Sequence, residues 1–275
     1  MPELPEVETI VRDLRRLVTG AGIRMVHVLR PDLVEGEVQS FEEGLRGARI
    51  EEVTRRAKNI VFRLRPRAGG AERLVINLGM TGRVLVRDGD QEEPRHLGAR
   101  FGLLDGRVVL YQDVRRFGRL EALGAEAWDE RDLSLGLEPL GNAFTAEALY
   151  GLSRHSRTPI KTWLMDQRRV VGVGNIYASE ALFRARISPR KAARRLLRRE
   201  AEALHDSIRS VLQEAIDFRG TTLLDYRDAG GEQGSFAARL RVYDRKGEPC
   251  HHCGTAIRRI VQGGRSTFYC PGCQR

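Results

Sequence analysis

The chain has 275 residues, which is enough for two domains that each bury a core, and its formal net charge is +10 because 47 lysine and arginine residues face 37 aspartate and glutamate residues. No apolar run approaches the roughly 20 residues of a membrane span, and the N-terminus lacks the basic start and apolar centre of a signal peptide, so we expect a cytoplasmic protein without membrane contact. The positive charge favours a polyanionic partner, and the aromatic content of 6% favours duplex nucleic acid over stacked single strands.

The first predicted element is a helix that opens with Met1-Pro2-Glu3-Leu4-Pro5. Its apolar residues recur at helical spacing: Leu4, Val7, Ile10, Val11, Leu14, Leu17 and Val18. Removal of Met1 would leave Pro2 with a free secondary amine beside the positive end of the helix dipole and next to the carboxyl of Glu3. The residues alone allow two interpretations: an amine nucleophile with an adjacent proton shuttle, or the ordinary use of proline and glutamate at a helix start.

Short strands are predicted after the break at Gly20-Ala21-Gly22, separated by turns that contain glycine, proline and aspartate. We place them at residues 23–29, 48–55, 60–64, 74–77, 83–86, 100–104, 108–111 and 120–123. Many short strands in succession predict an antiparallel β-sandwich or barrel.

Three turns of this β region carry side chains suited to DNA. Lys58 offers an ammonium group for a phosphate or a catalytic centre, or else is a solvated turn lysine. Met80 lies between two glycines, either as a core residue or as an exposed wedge. Arg115 can hydrogen-bond to base edges, and the nearby ring of Phe117 can unstack a base step. The alternative is a packed phenylalanine flanked by surface arginines.

From about residue 129 the pattern becomes helical, with helices predicted at 146–152, 160–165, 176–184 and 192–218. The glycine-containing loop 170–175 suits a phosphate cradle at Asn175, for which a plain N-cap is the alternative. Residues 219–237 contain four glycines and few apolar residues, which predicts either a mobile loop that closes over a ligand or a linker.

All four cysteines lie in the C-terminal tail as two pairs, Cys250 with Cys253 and Cys270 with Cys273, and sixteen residues separate the pairs. Two such pairs on short hairpins predict a closed tetrahedral zinc site that holds the fold and leaves no position for activating water. A cytosolic chain disfavours the alternative of disulfides. The hairpin between the pairs presents Arg265 beside two glycines, as a phosphate-binding finger does.

These motifs together resemble the formamidopyrimidine-DNA glycosylase family over essentially the whole chain. The matching segments are residues 2–9, the Lys58 turn, 78–82, 113–118, 172–178, 243–250 and the cysteine pairs. The resemblance implies an α+β fold in which an N-terminal helix and an antiparallel β-sandwich occupy 1–135. A helix-two-turns-helix domain with a lesion-recognition loop at 219–237 then occupies 136–238, and a zinc finger with one structural zinc ion occupies 239–275.

The same resemblance implies a monomeric, bifunctional glycosylase and lyase of base excision repair. Such an enzyme acts on duplex DNA with oxidised purines or abasic sites, through a Schiff base on Pro2 and β,δ-elimination. The resemblance assigns catalysis to Pro2, Glu3, Lys58 and Arg265. It assigns DNA contacts to His96, Arg115, Arg157, Asn175, Met80 and Phe117, and metal binding to Cys250, Cys253, Cys270 and Cys273.

One departure and three rival functions remain. Many relatives have a second histidine where this chain has Leu97-Gly98 after His96, so the backbone contacts there are expected to differ. An endonuclease VIII shares the fold but prefers oxidised pyrimidines; Leu4 and the three residues Met80, Arg115 and Phe117 favour the purine enzyme. A non-catalytic DNA-binding module would not need an N-terminal amine, and a transcription factor would need a recognition helix that the sequence does not offer.

Overall fold

The structure is a computed structural model that describes residues 2–221 and 234–275. It contains two compact units. The first comprises the described parts of Met1–Leu133 and Phe218–Ser235, and the second comprises Ser134–Asp217 and Phe236–Arg275. The segment 219–237 was predicted to belong to the helical domain. Of its described residues, 219–221 and 234–235 belong to the first unit, and 236–237 belong to the second. The predicted closure of its middle part, 222–233, lies outside the described residues.

The first unit contains α1 Leu4–Val18, β1 Ile23–Val28, a 3₁₀ turn Pro31–Leu33, α2 Val38–Leu45, seven further strands and α3 Ala125–Leu133. The strands are β2 Arg49–Arg56, β3 Asn59–Arg65, β4 Arg73–Asn77, β5 Gly82–Asp88, β6 Leu97–Leu103, β7 Arg107–Asp113 and β8 Arg119–Leu123. All eight predicted strands are therefore present, with ends that shift by at most three residues.

The eight strands form two four-stranded antiparallel sheets, which confirms the predicted sandwich. Their orders are β1-β6-β7-β5 and β2-β3-β4-β8. One continuous apolar core includes side chains from both sheets, from α1 and from α2. The strands β3 and β4 are buried along most of their length, and each contains three consecutive buried apolar residues, at 60–62 and 74–76.

Helix α1 follows from its sequence, since Pro5 stands in the first turn and the apolar residues recur every three or four positions. Six of the seven residues that defined the period are buried, whereas Leu17 is 39% exposed. Leu14 and Val18 already cover the inner face of the last turn, and Leu17 lies at its edge. The basic residues Arg15 and Arg16 in that turn complement the negative end of the helix dipole.

The second unit contains α4 Ala146–Ser153, α5 Ile160–Leu164, α6 Asn175–Arg184, α7 Arg198–Asp217 and the hairpin β9 Arg258–Gln262 with β10 Arg265–Tyr269. Short 3₁₀ turns lie at Ala193–Arg195 and Phe236–Arg239. Gly263 and Gly264 form the two-residue hairpin turn, and both adopt positive φ, as such a turn requires. Among the described residues, no helix is long and apolar enough to cross a membrane.

Candidate functional site

Pro2 and Glu3 are buried at the start of α1, where Glu3 is the N-cap. The backbone N–H of Glu3 donates to Oε2 of Glu6 at 2.8 Å, and the carboxylate of Glu3 accepts from the backbone N–H of Glu6. This reciprocal pair is a capping box. The predicted capping role of Glu3 is therefore present, and the same bonds fix the backbone that follows Pro2.

Glu6 is only 2% exposed and binds a second segment of the first unit. Its Oε1 accepts from the backbone N–H of Thr221 at 2.7 Å, while Arg219 forms an ion pair with Asp13 of α1 at 2.7 Å. The described end of the 219–237 segment is thus fixed to the first three turns of α1. Glu6 is not among the predicted site residues, although its spacing of three residues from Glu3 is typical of a capping box.

Lys58 occupies the two-residue turn between β2 and β3, beside Ala57, which has a positive φ of 55°. Arg55 connects this turn to α1. Its Nε donates to Glu8 at 3.2 Å, its Nη1 donates to the carbonyl of Ala57 at 2.9 Å, and its side chain is 9% exposed. The lysine turn is therefore held against the helix that begins after Pro2 and Glu3.

Met80 and Phe117 are 39% and 53% exposed, which makes the interpretation of either as a core residue wrong. Their two turns approach each other closely. A Cβ on Gly79 would lie 2.5 Å from the carbonyl carbon of Phe117, so only glycine fits there. The guanidinium of Arg115 lies 4.7 Å from the ring centroid of Phe117, within the range of a cation–π contact. The structure thus brings the three predicted residues together on exposed turns.

Asp113 is buried and binds both of these turns. Its Oδ1 accepts from Thr81 Oγ1 at 2.5 Å and from the backbone N–H of Arg115 at 3.2 Å. Its Oδ2 accepts from the N–H of Gly118 at 2.8 Å and from the hydroxyl of Tyr111 at 3.3 Å. Burial and the neighbouring carboxylate raise the pKa of Tyr111, so that hydroxyl remains a donor. One carboxylate therefore fixes the geometry of the Met80 and Phe117 turns.

His96 lies next to this cluster, with a positive φ of 61° and an exposed side chain. Its carbonyl accepts from the N–H of Asp113 at 3.1 Å. A second set of hydrogen bonds reaches the same turns, since Asn77 donates to Asn59 at 2.9 Å and accepts from the N–H of Gly79 at 2.9 Å. Asn59 follows Lys58 directly, so the lysine turn and the Met80 turn share one hydrogen-bond chain.

In the second unit, Asn175 is the first residue of α6, and Gly174 is the N-cap. The N-cap interpretation of Asn175 is therefore wrong. Its Oδ1 accepts from the fully buried Lys161, and its Nδ2 donates to the hydroxyl of Tyr243 at 3.3 Å. Lys161 and Tyr243 were not singled out from sequence; a lysine inside the apolar helix Ile160–Leu164 was the available signal.

The loop before α6 is shaped by two side chains. Gln167 accepts from the N–H of Gly172 at 2.8 Å and donates to the carbonyl of Val173 at 3.0 Å. Asp166 accepts from Arg168 at 3.0 Å and from Arg169 at 3.1 Å, and the bond from Arg168, chief among these, lowers the pKa of Asp166 to about 2. The loop is thus braced from within the second unit.

Glu180 of α6 fixes the chain that leads into the cysteine hairpin. Its carboxylate is fully buried and accepts from the N–H groups of Arg241, Val242 and Tyr243, each at 2.9 Å. Burial raises the pKa of Glu180, and the three donors oppose that rise. The ring of Tyr243 packs edge-on against Phe268 of β10 at 5.1 Å. Helix α6 and the hairpin are therefore joined at Tyr243, the residue that also contacts Asn175.

Arg265 is exposed at the first position of β10, opposite Gln262 across the turn. Gln262 donates to the carbonyl of Pro189 at 3.2 Å, which fixes the hairpin to the loop that follows α6. Arg157 is also exposed, and it precedes Thr158-Pro159 at the start of α5. Both arginines thus belong to the second unit, whereas the first unit contains Pro2, Glu3, Lys58, Met80, His96, Arg115 and Phe117.

The ligand atoms of the four cysteines all lie within 4.8 Å of one another. The Sγ atoms of Cys253 and Cys270 are 3.4 Å apart, and those of Cys250 and Cys273 are 3.9 Å apart. A disulfide has sulfurs about 2 Å apart, whereas a tetrahedral ion with bonds of about 2.3 Å places its sulfur ligands about 3.8 Å apart. The donor set therefore fits a metal ion.

The pKa values of these thiols differ from one another. A hydrogen bond from Thr255 lowers the pKa of Cys253 to about 6, whereas burial raises the pKa of Cys273 to about 12 and also raises the pKa of Cys270. A metal ion binds the thiolate form of cysteine, so its binding to these four cysteines would release protons.

Three family models match the chain. The formamidopyrimidine-DNA glycosylase N-terminal domain matches residues 1–120, and the formamidopyrimidine-DNA glycosylase H2TH domain matches residues 135–226. The zinc finger found in FPG and IleRS matches residues 247–275.

Similar proteins carry the same name. Formamidopyrimidine-DNA glycosylase of Symbiobacterium thermophilum is 43% identical over 277 residues, which cover all of this chain and 89% of the relative. The solved MutM (Fpg) of Thermus thermophilus is 43% identical with a TM-score of 0.87, over 99% of this chain and 98% of the other. Lactococcus lactis Fpg, solved with DNA that contains an abasic site, is 32% identical with a TM-score of 0.90, over 99% of each chain.

Proposed function

Because the chain belongs to the formamidopyrimidine-DNA glycosylase family, we propose that it is a DNA glycosylase that removes oxidised purines from duplex DNA and then cleaves the strand. The observation that carries this proposal is the buried start of α1, where the backbone after Pro2 is fixed by the capping box of Glu3 and Glu6. The substrates are 8-oxoguanine and formamidopyrimidines. DNA complexes of similar proteins with an abasic site and with Fapy-dG support this choice.

Pro2 acts as the nucleophile once Met1 has been removed. Its secondary amine forms a bond to the deoxyribose C1′ as the bond from C1′ to the base breaks, and Glu3 protonates the ring oxygen as the sugar opens. The product is an iminium, which keeps its positive charge without a proton because the amine is secondary. This charge acidifies C2′. A general base therefore removes a C2′ proton, and the 3′ phosphate leaves. A second elimination then releases the 5′ phosphate.

The remaining site residues bind DNA in this proposal. Lys58 contacts phosphate and assists the first elimination, and Arg265 contacts phosphate and assists the second. The DNA backbone is bound by Asn175, Arg157 and His96. The space that the extruded base leaves is filled by Met80, Arg115 and Phe117, with Arg115 facing the unpaired cytosine; their exposure on joined turns supports this role.

The metal is zinc, held by Cys250, Cys253, Cys270 and Cys273. Four thiolates in a tetrahedron are typical of structural zinc and leave no open position for water. The ion supplies stability to the hairpin that carries Arg265. We further propose a cytoplasmic monomer that acts on duplex DNA.

The proposal is tested by borohydride trapping on a duplex with one 8-oxoguanine opposite cytosine, followed by mass mapping of the adduct. We expect wild-type protein without Met1 to form a covalent adduct on Pro2 and to release a strand with phosphates at both ends of the gap. Pro2→Gly keeps an N-terminal amine but loses the secondary amine and the fixed backbone, and we expect its rate to fall at least about 100-fold, or about 2.7 kcal/mol of transition-state stabilisation.

A wild-type protein that lacks Met1, binds this duplex and neither cuts nor traps would contradict the proposal. The same assay with an oxidised pyrimidine then separates an endonuclease VIII activity from a non-catalytic binding role. Protein that retains Met1 is the internal control, since its nucleophile is locked in a peptide bond and no adduct is expected.

A further inference from the structure

The segment 189–200 of the second unit carries a dense run of positive charge. Five of its six cations are exposed arginines, and together with one neighbour that follows α4 they define a surface that we call the arginine strip: Arg154, Arg190, Arg194, Arg195, Arg198 and Arg199. None of these six residues contributes to the site described above.

The strip is held in register with the segment that contains Arg157. The N–H of Ile160 donates to the carbonyl of Lys191 at 2.7 Å, and the N–H of Arg194 donates to the carbonyl of Ser156 at 2.8 Å. An antiparallel bridge between Pro159 and Ala192 lies between these bonds. The strip therefore runs alongside the segment on which Arg157 is exposed.

Few acidic groups neutralise the strip. Glu147 pairs with Arg198 at 2.5 Å, but the two side chains are 70% and 65% exposed, so this pair is easily exchanged for another anion. Glu200 pairs with Lys191 and accepts from the N–H of Leu197. Within 2–221 and 234–275, the five other arginines of the strip form no ion pair with a carboxylate. The strip thus keeps a large positive charge.

Local stability does not explain these positions. Arg198 and Arg199 stand in the first turn of α7, where the positive end of the helix dipole disfavours cations. Two guanidinium groups also share one ring, since Arg154 and Arg198 lie 5.2 and 4.7 Å from the centroid of Tyr150. These contacts restrict both side chains before any ligand arrives, which lowers the entropy lost on binding.

We propose that the arginine strip binds the phosphates of duplex DNA beyond the lesion, as an extension of the contact at Arg157. Guanidinium groups match phosphate in a bidentate geometry, and a row of exposed arginines without a base-reading partner fits a backbone contact that is independent of sequence. The inference rests on the proposed function, because it assumes that duplex DNA is the partner.

The test compares wild-type protein with a variant in which Arg194, Arg195, Arg198 and Arg199 are all replaced by glutamine. Affinity and single-turnover excision are measured on two duplexes with a central 8-oxoguanine, one of about one helical turn and one of about four turns. On the short duplex we expect wild type and the variant to excise the base at equal rates. On the long duplex we expect the variant to bind about 10-fold more weakly, and its salt slope to fall by about 0.9 for each phosphate that the variant no longer neutralises.

A matched control removes the same charge elsewhere, by replacing Arg24, Arg46, Arg65 and Arg67, four exposed arginines of the first unit, with glutamine. The proposed role of the arginine strip is refuted if its variant keeps the wild-type affinity and salt slope on the long duplex. It is also refuted if the control variant loses as much DNA affinity as the strip variant. If wild-type protein excises the base from neither duplex, the proposed function is refuted instead. Equal melting temperatures of the variants establish that folding is intact.

Discussion

Glu6 is a residue whose importance lies in two backbone donors that are distant in sequence. One carboxylate oxygen holds the N–H of Glu3, and the other holds the N–H of Thr221. Both donors point at one buried side chain, and each of its two carboxylate oxygens satisfies one of them. Glu6 therefore fixes the backbone on which the proposed nucleophile and its neighbouring acid depend.

We expect Glu6→Gln to lower single-turnover excision of 8-oxoguanine by about 10- to 100-fold, because its amide group would face an N–H donor and leave one buried group unpaired, at a cost of about 1–3 kcal/mol. Quenched-flow assays measure the rate, and thermal melting measures the stability. Glu202→Gln on the exposed face of α7 is the matched control and should match wild type. Normal excision by a folded Glu6→Gln variant would show that the capping box does not position Pro2 and Glu3.

At this scale the sequence indicates residue types better than partners. The amine at Pro2 and the four cysteines are recognisable because their spacing along the chain carries the chemistry. The role of Glu6 is not recognisable in full, since one of its donors comes from Thr221, and no local pattern links the two positions. Asn175 illustrates the same limit, because its contacts with Lys161 and Tyr243 depend on tertiary packing.

Among the elements, the turns at residues 78–82 and 113–118 behave as one piece because Asp113 binds both of them. Met80 and Phe117 project from these turns, and neither side chain is buried. If they fill the space of an extruded base, their effect depends on the fixed separation of the turns. Asp113 then affects base extrusion without touching the reacting atoms.

We expect Asp113→Asn to slow excision of 8-oxoguanine by about 10-fold. The amide nitrogen would replace an oxygen that accepts from one hydroxyl and one backbone N–H; the hydroxyl can turn to accept, but the N–H loses its acceptor at a cost of about 1–3 kcal/mol. Cleavage of a preformed abasic site should stay near the wild-type rate, because that substrate has no base to extrude. Asp105→Asn, in the exposed turn after β6, is the control and should leave both rates unchanged. Equal losses on the two substrates would contradict the positioning role and indicate general unfolding of the loops.

The elements with a strong period were predictable, and the others were not. Eight strands follow from short apolar runs between turn residues. Helix α2 was missed because only Phe41 and Leu45 are buried, which is too few to define a helical period. The long helix was predicted to begin at residue 192 but begins at Arg198, since residues 191–194 pair with 156–160 and this pairing overrides the apolar period through Leu196.

For the whole molecule, the cysteine cluster is expected to stabilise the second unit alone. The hairpin has few buried residues of its own, and its small core of five buried residues includes two of the cysteine ligands. The first unit has a large separate core that contains no metal ligand. We therefore expect metal binding to be coupled to folding in the second unit and not in the first.

Removal of the metal with a chelator is expected to abolish tight DNA binding, because the hairpin that presents Arg265 would lose its order. Protection of the β-sandwich amides should persist, since that core needs no ion. Hydrogen exchange with mass spectrometry and a DNA-binding titration measure the two effects, and readdition of Zn²⁺ is the control. Chelated protein that retains its original DNA affinity would refute the structural role of the metal.

Affinity for the ion should fall at low pH, because the raised pKa values of the Cys270 and Cys273 thiols make them hold their protons tightly.

The bond from Thr221 to Glu6 also has a consequence for biosynthesis. The ribosome makes α1 first, but the second donor of Glu6 does not exist until the chain has passed through both sheets and all of α4 to α7. Residues 219–221 and 234–235 then return to the first unit. A truncated chain that stops within α7 can form both sheets, yet its N-terminal residues lack their last anchor. The proposed nucleophile is thus the first part of the protein to be synthesised and among the last to be fixed in place.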